Sequence, residues 1–99
     1  MTPRVAVTAR AQRQILRALS WWHTHRDKAP GALEDDWLEA LALIASAPHL
    51  GKFSSRQRRG VVRRVELERS RYYLFYRINL KGDIDILQLW HTSRRPPKR

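Results

Sequence analysis

A chain of 99 residues carries 20 Lys and Arg against 9 Asp and Glu, a formal charge of +11, and has no cysteine. That length suffices for one small domain, and the missing thiols exclude a disulfide framework, a thiolate metal site and a cysteine nucleophile. The charge is lopsided: residues 1–50 hold 6 basic and 5 acidic side chains and residues 51–99 hold 14 and 4, so the second half suits a polyanion or an acidic protein partner.

No window approaches the roughly 18 apolar residues of a membrane span, and the first ten residues lack a signal-peptide core. The expectation is a soluble, cytoplasmic protein of ordinary globular composition, with 42% hydrophobic residues. In chain order, Arg4–Val7 reads as a short first strand, and Thr8 as the N-cap of a helix reaching about Arg26. Ala11, Ile15, Leu19 and Trp22 recur at three- and four-residue steps in it. Pro30 opens a second helix running to Ser46, with Glu34, Asp35 and Asp36 read as helix-start carboxylates. Its buried stripe is expected to be Leu33, Trp37, Leu41 and Ile44, helped by Ala40 and Leu38. Two helices so briefly connected should form a helical hairpin.

Lys52–Gly60 is polar and basic, and reads as an exposed loop. Val61–Glu68 alternates, with Val65 and Leu67 inward and Arg64, Glu66 and Glu68 outward. Arg71–Ile78 and Ile84–Arg95, joined by a short connection containing Gly82, form an antiparallel hairpin. In its first run Leu74, Tyr76 and Ile78 share one face, and Arg71, Tyr73, Phe75 and Arg77 the other. In its second run Leu87 and Leu89 alternate with Ile86, Gln88 and Trp90, as suits a strand inside a sheet. The order β-α-α-β-β-β gives an α+β fold, a helical hairpin on one face of a small antiparallel sheet. Residues 1–95 make one domain, and 96–99 a basic, proline-rich tail.

The candidate binding patch is Arg63, Arg64, Arg77, Arg94 and Arg95, suited to phosphate or an acidic protein. Tyr73 and Phe75 lie on the same outward face, where rings stack on bases or pack beneath a partner segment. Trp21, Trp22 and Trp37 fall at helical spacing and read as core. His23 and His25 are two residues apart on a helix and point apart, so no metal site is expected, nor any cofactor. His91 is the one histidine with a candidate functional role.

Several segments resemble the RelE/ParE toxins: Trp21-Trp22 through Ala29-Pro30 between the helices, Pro48-His49-Leu50-Gly51 closing the second helix, Gly60-Val61-Val62-Arg63-Arg64, Tyr72–Ile78, and Leu89-Trp90-His91-Thr92-Ser93-Arg94. The resemblance covers nearly the whole chain in order. It implies the toxin of a type II toxin–antitoxin system, neutralised by an acidic, partly disordered antitoxin. A homodimer and a toxin–antitoxin hetero-oligomer are both open. RelE-like members cut messenger RNA in the ribosome, and ParE-like members poison DNA gyrase.

As a RelE-like ribonuclease the chain would rely on Arg64, Arg94 and, for proton transfer, Tyr73 or His91. It departs from that pattern in three places. Glu66 stands where a lysine is wanted, Tyr73 where an arginine is wanted, and no tyrosine follows Arg94. The resemblance is therefore closer to ParE, with a non-enzymatic action in which Arg63, Arg64, Tyr73, Arg77, His91, Arg94 and Arg95 contact the target.

Overall fold

The computed structural model describes residues 2–25, 29 and 31–93. The elements are β1 (Val5–Val7), α1 (Ala9–His25), α2 (Ala32–Ser46), a 3-10 turn (Pro48–Leu50), β2 (Lys52–Gln57), β3 (Gly60–Leu67), β4 (Tyr72–Asn79) and β5 (Ile84–His91). The strands form one sheet in the order β1-β5-β4-β3-β2. The fold is α+β, with the helical hairpin on one face as expected. The sheet has one strand more than the sequence suggests, and it is mixed, because β1 runs parallel to β5. Arg26, Pro30, Arg94, Arg95 and the tail 96–99 lie outside the described residues.

Thr8 joins sheet to helix. Its backbone N–H donates to the Ile86 carbonyl at 3.0 Å, while its Oγ1 accepts the Ala11 amide at 3.3 Å, an N-cap worth about 1 kcal/mol. From that start α1 turns Ala11, Ile15, Ala18 and Trp22 into the core, and α2 turns Leu33, Ala40 and Ile44 towards it. The sheet answers with Leu67, Leu74, Tyr76, Ile84, Ile86 and Leu89. Past the end of β1, the Leu89 amide of β5 finds its acceptor in the Gln14 side chain of α1 at 2.8 Å. A buried backbone donor needs such a partner.

Lys52–Gln57 is a strand rather than a loop. It pairs antiparallel with β3 from Lys52↔Arg64 to Gln57↔Gly60. As the outermost strand it is held by backbone pairing, so it needs no apolar alternation, and charged side chains suit an exposed edge. In β5 the alternation is interrupted. Phe75 faces Gln88 while Tyr76 faces Ile86, leaving Leu87 as an extra, bulged residue. Leu87 therefore joins Val62 and Phe75 in a small cluster on the face away from the helices, whereas Leu89 stays in the main core. The expectation that Leu87 and Leu89 share a face fails at that bulge.

Two apolar side chains and one acidic side chain also depart from expectation. Leu38 is 64% exposed and Trp21 43% exposed, the latter with its ring stacked on His25 at 4.8 Å. Asp36 is buried. It takes the Ser70 amide and hydroxyl at 2.8 and 2.7 Å and the Arg69 guanidinium at 2.9 Å. It thus ties the β3–β4 turn to α2 rather than serving the helix start.

Candidate target-binding face

The sheet has a helix-covered face and an outward face, and strand alternation sorts the candidate residues between them. On β3 and β4, Arg64, Glu66, Tyr73, Phe75 and Arg77 point outward, since Arg64 opposes Phe75 and Glu66 opposes Tyr73. The Arg64 guanidinium carbon lies 4.6 Å from the centre of the Tyr73 ring, a cation–π contact between two half-buried side chains worth about 0.5–2 kcal/mol. Tyr73 in turn meets Phe75 edge to face at 6.3 Å. The outward face therefore presents a guanidinium held on an aromatic seat. Lys52, opposite Arg64 in register, adds a second cation, from a segment whose composition suggests a loop. Gly51 and Gly60 bracket a run of strand length there, and that spacing is the signal in the sequence that points to it.

Arg77 is also outward, but its charge is answered. Two of its nitrogens reach Asp85 at 3.0 and 3.2 Å, with a longer contact to Gln57, and its side chain is 15% exposed. Arg63 faces the other way. It donates to the Gly51 carbonyl at 2.9 Å beneath the sheet, near the Tyr76 hydroxyl, which it helps to keep ionisable against the burial that raises the phenol above its ordinary range. Neighbours in sequence, Arg63 and Arg64 serve opposite faces.

His91 is on the helix side as well. Its ring meets Tyr72 edge to face at 4.9 Å, and its Nδ1 accepts the Ser93 amide at 3.1 Å. It lines an open groove of about 570 Å³ shared with Gln14, Arg17, Trp21 and Tyr72. The thickness of the sheet thus stands between His91 and Tyr73, and the structure does not bring these two proton-transfer candidates together. Arg64 and Tyr73 are together, while Arg94 and Arg95 fall outside the described residues. Among the described residues no three His, Asp or Glu side chains cluster as metal ligands would. No described helix is long and apolar enough to cross a membrane.

Residues 5–96 match the family model described as the ParE toxin of the type II toxin–antitoxin system parDE. The chain belongs to the ParE toxin family. A solved structure described as the chromosomal ParDE TA system from P. aeruginosa is similar over 91% of this chain and 96% of that one, with a TM-score of 0.68 and 19% sequence identity. At that identity the likeness concerns the fold. No curated protein sequence matches the chain. For a ParE-family toxin the helical hairpin and mixed sheet described above are thus the shared scaffold, and the outward residues are what this chain places on it.

Proposed function

We propose that this ParE-family toxin arrests growth by binding DNA gyrase through the outward face, without cutting a substrate, and that an acidic antitoxin neutralises it by covering that face. Arg64 seated on Tyr73 is the centre of the surface, with Lys52 beside it and Arg94 and Arg95 following β5 in sequence. The observation that carries this reading is the separation of Tyr73 from His91. Phosphoryl transfer from a 2′-hydroxyl uses both a general base and a general acid around the phosphate that the cations hold. With His91 on the helix side, Tyr73 is left without the second group, and Glu66 opposite Tyr73 repels a phosphate there. Protein recognition requires only a shaped, charged and aromatic patch.

The test is supercoiling of relaxed plasmid by purified gyrase with the purified chain added, alongside end-mapping of messages after induced expression. Inhibited gyrase, broken DNA and intact messages are expected. Uninhibited gyrase with messages cut at translated codons would instead establish the ribosome-dependent ribonuclease. That second reading is favoured by one observation, the contact of Arg64 with Tyr73, in which a phenol lies beside a cation. No growth arrest in cells lacking any antitoxin would leave a basic nucleic-acid-binding module.

A further inference from the structure

The basic side chains of the second half differ in what neutralises them. Arg69 bridges Asp36 and Glu39, Arg77 is paired with Asp85, Arg63 is turned beneath the sheet, and Arg64 rests on Tyr73. Arg56, Arg58 and Arg59 are exposed, and their side chains make no hydrogen bond or ion pair with the described residues. They stand together at the end of the β2–β3 ribbon, two of them as the turn between Gln57 and Gly60.

That end of the ribbon is held in place. Gly60 has φ +145°, and its Cα sits so close to the Ile78 carbonyl that no side chain fits. Arg77 reaches Gln57 from the neighbouring strand at 3.4 Å. No carboxylate occurs between Gly51 and Val65, and no apolar side chain between Ser54 and Gly60. Glu66, the first acid along β3, lies six residues from Gly60, about 20 Å away along the strand, and the nearer Asp85 on β5 is taken up by Arg77.

We propose that the Arg56, Arg58 and Arg59 end of this ribbon binds the phosphate backbone of duplex DNA without regard to sequence. Guanidinium forks match phosphate oxygens bidentately. Protein interfaces are centred on buried aromatic or aliphatic anchors, which this stretch lacks. Protein–DNA interfaces are polar and strongly positive. Single-strand binders add aromatic stacking platforms, and the ribbon's aromatic residue, Phe53, is four residues away from Gln57, about 13 Å along β2. The proposal does not depend on gyrase being the target.

The experiment is fluorescence anisotropy of a labelled 30-base-pair duplex titrated with the full chain between 50 and 200 mM NaCl. An Arg56→Ser, Arg58→Ser, Arg59→Ser variant is compared with an Arg10→Ser, Arg13→Ser, Arg17→Ser variant that removes equal charge from α1, and circular dichroism confirms that both are folded. The ribbon variant is expected to bind at least about 10-fold more weakly near 100 mM salt. Its log–log salt slope should be shallower by about 2.7, or 0.9 for each phosphate no longer neutralised, with the α1 variant close to the parent. Equal losses in the two variants would mean that net charge alone binds DNA, and would overturn the site. Binding of single-stranded DNA or RNA as tight as duplex, or displacement of the duplex by polyglutamate at equal charge, would overturn the ligand. A chain that ignores gyrase yet binds duplex through the ribbon would sink the proposed function and leave this site standing.

Discussion

The Tyr76 hydroxyl accepts the Gly51 amide at 3.0 Å and donates to the Pro48 carbonyl at 2.6 Å. One buried phenol thereby fixes the chain where it leaves α2 for the edge strand β2, and a side chain at Gly51 would collide with that phenol. Tyr76→Phe is expected to lower stability by about 1–3 kcal/mol, the usual consequence of leaving a buried donor and acceptor unpaired. Gly51→Ala, which keeps the phenol and displaces it, should lower stability by about 1–3 kcal/mol through overpacking. Urea unfolding of the two variants checks both values. A midpoint unchanged in both would mean that the junction is held elsewhere.

The same phenol gives the molecule an alkaline dependence. Desolvation by burial raises the Tyr76 pKa above its ordinary 10.0, opposed by the Gly51 hydrogen bond and the nearby Arg63 charge. A raised pKa in the folded state means that this contribution to stability is complete below pH 10. It is then lost as pH rises from the unfolded value through the folded one. Absorbance at 295 nm should show a phenol titrating above the ordinary range, absent from Tyr76→Phe, and the variant's stability should fall less steeply above pH 10 than the parent's.

Asp36 offers a second structural test. It is buried and accepts three hydrogen bonds, two from Ser70 and one from Arg69. Asp36→Ala leaves the Ser70 amide and hydroxyl without their acceptor in a buried site, which should cost about 2–4 kcal/mol. Asp36→Asn, which keeps one carbonyl oxygen, should cost less. When Asp36 is replaced, Arg69 retains its exposed partner Glu39. Arg69→Ala instead leaves both Ser70 hydrogen bonds but strands the buried Asp36 charge without its cation, so it should fall between Asp36→Ala and Asp36→Asn. Equilibrium denaturation ranks them, and Arg69→Ala as the costliest would mean that the turn is held chiefly from the Arg69 side.

On the outward face the two readings of function predict different responses to a single oxygen atom. If the face binds a protein target, Tyr73→Phe preserves the ring under Arg64 and should leave growth arrest and gyrase inhibition within about 3-fold of the parent. If Tyr73 moves a proton, the loss should be about 100-fold or more. Arg64→Ala should weaken both activities in either case while changing stability by no more than about 2 kcal/mol, since it removes a half-buried cation–π contact. A folded Arg64→Ala variant with full toxicity would displace the centre of the surface from β3.

The sequence was most readable where periodicity and burial coincide. The outward and inward sets of β4 followed from simple alternation, and α1 from its stripe and Thr8, because each element buries one continuous face. Legibility ended where backbone pairing or a local irregularity decides the outcome. Nothing in Lys52–Gln57 looks like a buried strand, because an edge strand need not bury a face. One bulge at Leu87 separated two leucines that alternation had grouped. Asp36 looked like any acid in a first helical turn, since its partner Ser70 lies 34 residues away. Of the candidate surface, Arg64 and Tyr73 were placed by alternation. Assigning Arg63 to the opposite side required only the same rule applied one residue earlier. The neutralisation of Arg77 depended on Asp85 across the β4–β5 pairing, a register that turn composition alone did not fix.

The parallel pairing of β1 with β5 matches Val5 to Ile84, joining points almost a chain length apart. During synthesis β1 has no neighbour to dock against until Ile84–Ile86 have been made and have left the ribosome, and such distant pairing is slow to close. A nascent copy therefore spends its translation with this seam open, and a partner that engages it during that interval meets a poison not yet assembled.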